Sequence, residues 1–412
     1  DRPLILAAAA VDRGRMEQRA RFARMPQDGA APVVVSRQPI LDREEQVVAY
    51  ELLAPRAGDP REATAGVLAR AIVDIGLLRL VGDRPAHVDV TREFLLAVRP
   101  LPFPPQRVVL EVDGEKPADD LLLMVLREAR EAGFRIALDG IHGCNDALLA
   151  LADTVKLDAS ASEAAIERAR GRTLIATGVE TRSAYDRCRA LGFDAFQGQF
   201  FAEPVITTGA SAPTYRLRAL SMLAQGESTS FEQLERVIAE DPGLSLKLVK
   251  LANSAFFGGR HRVGSIRQAL IALGSITVRR WATVLVLAGV SDRPSHLLEL
   301  GLLRARLCEL VATGTGRAEA DRAFTVGLLS VIDSLLGIPM PTLLADLPFD
   351  ERTKQALGAH EGPEGNVLAG VLAYERGDFE GCARSGVGLL EIARAYSEAL
   401  DWSDGALIQL TA

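Results

Sequence analysis

Short apolar segments alternate with segments of helical periodicity between residues 33 and 200. Runs rich in apolar and β-branched residues predict strands at 33–36, 47–52, 86–90, 108–112, 135–138, 154–157, 174–176 and 195–197. Between most of them, apolar residues recur every three or four positions, as in 67–80, 121–132 and 184–191, which predicts amphipathic helices. Strands that alternate with helices predict an α/β fold, here a TIM-like (β/α) barrel. The segment has about 170 residues, fewer than the ~250 typical of that barrel, so we expect it to be trimmed or incomplete.

After the barrel segment the alternation stops and only helical patterns follow. Residues 205–213 are mostly small and polar and contain chain breakers, which predicts a linker. Asp241 and Pro242 have the form of a helix start, and Ser265 and Gly274 bracket a further helix. We therefore expect three parts: a basic N-terminal extension at 1–31, a barrel domain at 32–206 and an all-α bundle at 207–412.

Charge and hydropathy narrow the classes of function. A formal charge of -7 and a pI near 5.5 give the whole chain no bulk attraction for nucleic acid or for anionic membranes. The longest apolar run, 281–290, is far shorter than the ~20 residues of a membrane helix, and the N-terminal residues do not resemble a secretory signal. These features predict a cytoplasmic protein without membrane contact.

One carboxylate can be placed in a barrel mouth from the strand pattern alone. Asp139 directly follows the predicted strand 135–138, and Gly140 comes next. The C-terminal ends of the strands form the usual active-site mouth of a (β/α) barrel, so Asp139 is expected there.

Two series of motifs resemble those of bacterial EAL–HDOD signalling proteins. Arg-Gln-Pro-Ile at 37–40 and Val-Val-Ala-Tyr-Glu-Leu-Leu at 47–53 resemble the opening of EAL domains, the phosphodiesterases that linearise cyclic di-GMP. Asp-Pro-Gly-Leu at 241–244, Leu-Ala-Asn-Ser-Ala-Phe-Phe-Gly at 251–258 and Ala-Leu-Ile-Ala-Leu-Gly at 269–274 resemble the HDOD core. The paired order implies an EAL-type barrel followed by a helical HDOD bundle related to HD domains.

The resemblance implies where the site residues of an active EAL domain would fall. Active members hold two divalent metals, which clamp a phosphodiester and activate water. The matching positions are the metal-site acids Glu51, Asp89, Glu111 and Asp139, together with Lys156, Glu180 and Gln197. Because clustered buried carboxylates are costly without a cation, the four acids are compatible with a single residual Mg²⁺ or Mn²⁺. No cofactor is expected to be required.

Departures from the EAL pattern predict a degenerate active site. Gly140 replaces the second aspartate of the paired motif, and Thr177 replaces a glutamate. The expected phosphate-binding arginine is Pro55, with Arg56 one place late. Several parts of a two-metal site must be present together for catalysis, so the surviving residues are expected to be relics of the family site.

The helical half is also expected to lack catalysis. Metal-dependent HD hydrolases need clustered histidines and an adjacent His-Asp pair. No histidine of this chain precedes an aspartate, and only Asp333 stands near the position of such a pair. The likeness to HDOD domains, which resemble HD folds without catalytic residues, therefore predicts a module that binds a protein partner.

The leading hypothesis is a non-catalytic signal-transduction protein that acts through protein partners, with cyclic di-GMP sensing and a homodimer left open. One alternative is a weak cyclic di-GMP phosphodiesterase that uses Glu51, Glu111, Asp139 and Lys156 around a single metal. The other is a nucleic-acid-binding regulator. It would use the arginines of the helical half, namely Arg260, Arg262, Arg267, Arg279 and Arg280. The absence of interleaved aromatic residues disfavours this second alternative.

Overall fold

The computed structural model describes residues 33–55, 64–202, 219–220, 222–223, 229–257, 263–290 and 295–411. The predicted basic extension at 1–31 and the predicted linker at 205–213 lie outside these residues. So do Arg56, Arg260 and Arg262. Residues 33–412 belong to one compact unit, so the two halves of the chain can be described together.

Eight strands form a closed barrel in chain order. They are β1 (Ser36–Asp42), β2 (Val47–Leu53), β3 (Ala86–Asp89), β4 (Val108–Asp113), β5 (Arg135–Asp139), β6 (Thr154–Asp158), β7 (Thr173–Thr177) and β8 (Ala195–Phe196). Strands β2 to β8 are mutually parallel, whereas β1 runs antiparallel to both β2 and β8. The predicted fold class is confirmed, and the barrel is complete rather than open.

The first strand is displaced from its predicted position. The prediction ended at Ser36, where β1 begins, because Arg37 and Gln38 have the polarity of a loop. In the structure these two side chains point to opposite sides of the barrel wall, and each has a hydrogen-bond partner on its own side. A turn at 43–46 joins β1 to β2, and the Asp42 carboxylate accepts hydrogen bonds from the Glu44 and Gln46 amides within it.

Short helices account for the small size of the barrel. They are α1 (Thr64–Ala71) with a π-helical turn (Ile72–Gly76), α2 (Leu77–Val81), α3 (Arg92–Ala97), α4 (Asp120–Glu131), α5 (Asp146–Leu149), α6 (Glu163–Arg168) and α7 (Arg182–Ala190). The described chain then forms a 3₁₀ turn at Phe200–Ala202. Single helical turns such as α5 replace the long crossover helices of a full-size barrel.

The second half consists of helices throughout its described residues. They are α8 (Phe231–Ala239), α9 (Pro242–Ala252), α10 (Ile266–Leu273), α11 (Ser275–Val290), α12 (Ser295–Thr315), α13 (Ala320–Leu329), α14 (Ile332–Leu336), α15 (Met340–Asp346), α16 (Glu351–Gly358), α17 (Gly362–Glu375), α18 (Phe379–Arg384) and α19 (Leu389–Thr411). Asp241 caps α9 as predicted, since its carboxylate accepts from the Gly243 and Leu244 amides. No single described helix has the length and hydropathy to cross a membrane, although α13–α14 and α15, bent by 108°, meet that test as a pair.

The helical half covers the outer face of the β1–β2 hairpin. The Tyr374 hydroxyl on α17 donates to the Val35 carbonyl at 2.7 Å. Arg37 on β1 donates to Glu299 on α12 at 2.8 Å, and both side chains are largely buried. The hairpin therefore has the barrel mouth on one side and the helical half on the other.

Acid is expected to weaken this contact through His296 on α12. Burial lowers the pKa of His296 from 6.5 to about 4, although the nearby Glu45 and Glu299 carboxylates act in the opposite direction. The neutral imidazole therefore contributes stability above about pH 6.5, and that stability is lost as the pH falls through about 4. In thermal unfolding, His296→Leu should flatten the fall in Tm across this window. The exposed-residue control His142→Leu should follow the wild-type profile, and an unchanged profile for His296→Leu would contradict the assignment.

Candidate active site in the barrel mouth

A buried lysine joins two glutamates in the barrel mouth. Lys156 Nζ on β6 donates to Glu51 Oε2 on β2 at 2.7 Å and to both carboxylate oxygens of Glu111 on β4 at 2.8 Å. Lys156 is 1% exposed and Glu111 is 4% exposed. Residues from alternate strands share a layer inside such barrels, which explains how β2, β4 and β6 bring these side chains together. We call Glu51, Lys156 and Glu111 the lysine triad.

Opposite charge decides the ionisation of Glu111 and Lys156. Burial is the largest single effect and disfavours the charged form of both, but their mutual attraction and the contacts with His87 and Glu51 together outweigh it. As a result, the pKa of Glu111 is lowered and the pKa of Lys156 is raised. Glu111 and Lys156 are therefore both charged throughout the neutral pH range, and Lys156 also donates to Glu51.

Two further side chains surround the triad. Gln197, just beyond β8, donates through Nε2 to Gln38 Oε1 at 2.7 Å and also to Glu51 Oε2. The side-chain amide oxygen of Gln197 is buried without a partner among the described residues. His87 on β3 places Nδ1 3.5 Å from Glu111 Oε2. The acids at the centre of the mouth are thus already contacted by the protein's own nitrogen atoms.

The other predicted site residues lie at the rim. Asp89 is adjacent to Glu111 across the β3–β4 ladder, and Asp139 is adjacent to Lys156 across the β5–β6 ladder. Both aspartates are exposed, as is Glu180, which lies in the loop before α7. Desolvation by the barrel wall, and secondarily the Glu111 charge, raise the pKa of Asp139 to about 6, although its side chain reaches solvent. The structure therefore brings together Glu51, Glu111, Lys156 and Gln197, with Asp139 beside them and Glu180 apart.

At the position of the missing second carboxylate, the Glu115 side chain lies where a side chain at residue 140 would begin. Gly140 has φ +72°, a conformation that favours glycine. A Cβ atom at this position would overlap the Glu115 carboxylate. Gly143 packs in the same way against the Glu115 backbone. The contact at Gly143 is with backbone atoms, whereas the exposed Glu115 carboxylate beside Gly140 ends a flexible side chain. The positive φ is therefore the main obstacle to an aspartate at 140.

The donor atoms of the mouth are not arranged for a divalent metal. Such a cation needs several oxygen ligands around one point. The point on which the Glu51 and Glu111 oxygens converge is filled by Lys156 Nζ. Among the residues that the structure describes, no group of three or more His, Cys, Asp or Glu side chains is spaced to hold a metal ion. The single-metal site at Glu51, Asp89, Glu111 and Asp139 stays a prediction, and it would require Lys156 Nζ to move away from the two glutamates.

Three residues near the site were not predicted. Gln38 and His87 point into the mouth, and Glu115 fills the space beside Gly140. The period-two pattern of β3 places His87 on the same face as Asp89, so that signal was available in the sequence. Glu115 lies in a loop, where periodicity carries no information.

Two arginines of the suggested nucleic-acid patch are structural. Arg279 is 4% exposed and pairs with Asp321. Arg280 donates to the same carboxylate at 2.8 Å and to Glu309 at 2.6 Å. Arg267, in contrast, is 66% exposed in its side chain. Of the three described arginines of the patch, only Arg267 is well placed to meet a phosphate backbone.

The closed barrel and the helical half define a two-domain protein of the EAL–HDOD class. Residues 211–340 match the family model of the HDOD domain. An uncharacterised protein of Bacillus subtilis, YuxH, is 30% identical over 400 residues, which cover 90% of this chain and 98% of that protein. The chain belongs to the family of YuxH, and the EAL–HDOD architecture implied by its motifs is confirmed.

Two other proteins are similar to parts or most of the chain. The cyclic di-GMP phosphodiesterase CdgJ of Vibrio cholerae is 29% identical over 397 residues, 90% of this chain and 92% of that protein. The solved EAL domain of Mycobacterium smegmatis DcpA is 24% identical and covers 40% of this chain and 89% of that chain, with a TM-score of 0.34. At that score the fold assignment depends on this chain's own strand order.

Restoring the second carboxylate is expected to damage the loop rather than repair the site. A non-glycine residue with positive φ costs about 1–2 kcal/mol, and Gly140→Asp must also displace Glu115. Gly171→Asp is the matched control, because Gly171 has φ +87° with open space around its Cβ position. Chemical denaturation should show a larger loss for Gly140→Asp, without Mn²⁺ binding in calorimetry. Equal losses, or a gain of Mn²⁺ binding, would contradict the account of this loop.

Proposed function

We propose that this chain is a non-catalytic signalling protein, in which the barrel does not hydrolyse cyclic di-GMP and the helical half binds a protein partner. The observation that carries the proposal is Gly140, which has φ +72° and no side chain where a second metal-binding carboxylate would be needed. The lysine triad supports it, because Lys156 already neutralises the two central acids. Without paired metals, the attacking and leaving oxygens of a phosphodiester lose their clamp.

Partner binding by the helical half is supported by its surface. Leu246 on α9 and Ile271 on α10 are 60% and 73% exposed, although both lie within the part that matches the HDOD model. Contiguous exposed apolar patches mark contact sites between proteins, whereas single exposed apolar side chains are ordinary, so these two residues name the face to be tested. The buried pairs of Arg279 and Arg280 disfavour nucleic acid as the partner.

A hydrolysis assay tests the proposal. The purified full chain is incubated with cyclic di-GMP and either Mg²⁺ or Mn²⁺, and linear product is measured beside the Glu51→Gln variant. We expect both proteins to give the same background. Metal-dependent turnover that Glu51→Gln abolishes would overturn the proposal.

The same assay tests the competing hypothesis, that the chain is a weak cyclic di-GMP phosphodiesterase. Two observations favour this second candidate. Glu51, Glu111 and Lys156 meet in the barrel mouth with Asp139 beside them, and the similar Vibrio cholerae protein is named a phosphodiesterase. If no hydrolysis is found, calorimetric titration with cyclic di-GMP shows whether the chain still binds the nucleotide without cleaving it or neither binds nor cleaves it.

A further inference from the structure

The β1–β2 hairpin presents neighbouring residues to opposite sides of the barrel wall. Successive side chains of a strand point to opposite faces. Gln38 and Glu51 face each other across the hairpin and point into the mouth. Their neighbours Arg37 and Tyr50 point outward, toward the helical half. The two surfaces are therefore separated by a single hydrogen-bonded pair of strands.

On the outer side, both residues converge on one acid of the helical half. Arg37 Nη2 lies 2.8 Å from Glu299 Oε1 on α12, and the Tyr50 hydroxyl donates to the same oxygen at 3.2 Å. The Arg37 guanidinium also stacks on the Tyr50 ring, 4.4 Å from its centroid. Arg37 is 8% exposed, so these contacts are strengthened by their exclusion from water.

On the inner side, the hairpin is joined to the lysine triad. Glu51 accepts hydrogen bonds from Lys156 and Gln197, and Gln197 also donates to Gln38. Each strand of the hairpin thus contributes one residue to the mouth and one to the contact with Glu299. A change in the charge or position of Glu51 acts on the strand that also carries Tyr50.

The contact has room to rearrange. A cavity of about 50 Å³ lies against it, lined in part by Gln38, Tyr50, His296 and Glu299. Neither ring nitrogen of the buried His296 has a hydrogen-bond partner among the described residues. Close-packed interiors contain few such spaces, and an incompletely packed polar contact can adopt a second arrangement at lower cost.

We propose that the β1–β2 hairpin couples the barrel mouth to the helical half, with Glu299 as the residue that receives the change. Altering the charge at Glu51 shifts Gln38 and Tyr50, which loosens the Arg37–Glu299 pair and the first turns of α12. This inference goes beyond the proposed function, because the coupling holds whether or not the mouth cleaves a nucleotide. It gives occupancy of the mouth a physical route to the half that binds a partner.

Hydrogen–deuterium exchange on the full chain tests the coupling without a ligand. Glu51→Gln should raise amide exchange in peptides spanning 296–303 by at least about twofold, since coupled networks typically carry effects of this size. Asp158→Asn is the matched control, because Asp158 ends β6 in the mouth but bonds to Ser160 within its own loop. Exchange in 296–303 should not change in that variant. The reciprocal variant Glu299→Gln should raise exchange in β1 and β2.

Two results with these variants would overturn the proposal. One is amide exchange that becomes faster in the barrel strands of Glu51→Gln but stays at the wild-type rate in 296–303. The other is an equal rise at 296–303 in Asp158→Asn, which would indicate general loosening. If Glu51→Gln fails to fold, Gln38→Met removes the link to Gln197 while keeping the triad, and it should give the same pattern in 296–303. A wild-type exchange rate at 296–303 in Gln38→Met would also contradict the proposed coupling.

Discussion

Lys156→Met is expected to lower the free energy of unfolding of the barrel by about 3–5 kcal/mol, since removing one partner of a buried ion pair leaves uncompensated charge. Here the change leaves two acids, Glu111 and Glu51, without their shared counter-ion. Methionine approximates the length of the lysine side chain, so the loss reports charge rather than volume. The free energy of unfolding is measured by urea denaturation, with far-ultraviolet circular dichroism as the signal.

A second lysine provides the control for this variant. Lys116 pairs with Asp113 at 2.7 Å, but its side chain is 81% exposed. Exposed pairs contribute little to stability, so Lys116→Met should leave the unfolding midpoint in place. If Lys156→Met were as stable as wild type, the lysine triad would not be the element that neutralises the mouth.

Arg279→Met should destabilise the helical half by about 3 kcal/mol, because Asp321 would lose the buried one of the two guanidiniums that pair with it. The expected loss is at the lower end for such pairs, since Arg280 still contacts Asp321 at 2.8 Å. The variant is measured by urea denaturation of the full chain.

Arg267→Met is the matched control from the same half. Arg267 is 66% exposed and lies 3.8 Å from Glu235, so its loss should cost less than about 0.5 kcal/mol. Equally small losses of stability in both variants would mean that the Arg279–Asp321 pair does not hold the helical half together. Nucleic-acid binding that is lost in Arg279→Met while stability is kept would favour the regulator hypothesis.

Local patterns predicted the elements whose side chains divide cleanly into apolar and polar. Strand β5 was predicted to within one residue, because its core residues form a continuous apolar run before Asp139. Strand β1 was displaced because Arg37 and Gln38 are polar on both faces. Their partners, Glu299 and Gln197, lie 262 and 159 residues away, beyond the reach of any local pattern.

In the site, too, local motifs identified residues, whereas contacts between residues far apart in the chain could not be predicted. The motifs indicated which acids belong to the mouth, and the structure places most of them there. The state of these acids depends on Lys156, which is 105 residues from Glu51 and 45 from Glu111. Two arginines of the suggested patch, Arg279 and Arg280, are engaged by a distant acid in the same way, since Asp321 lies 42 residues beyond Arg279.

The central claim is that the barrel mouth no longer holds the paired cations of a phosphodiesterase. Anomalous diffraction from crystals of the full chain, soaked with Mn²⁺ and cyclic di-GMP, tests it most directly. The account predicts no pair of Mn²⁺ peaks in the mouth and Lys156 still bound to Glu51 and Glu111. Two Mn²⁺ ions about 3.5–4 Å apart, with a nucleotide phosphate across them, would contradict it.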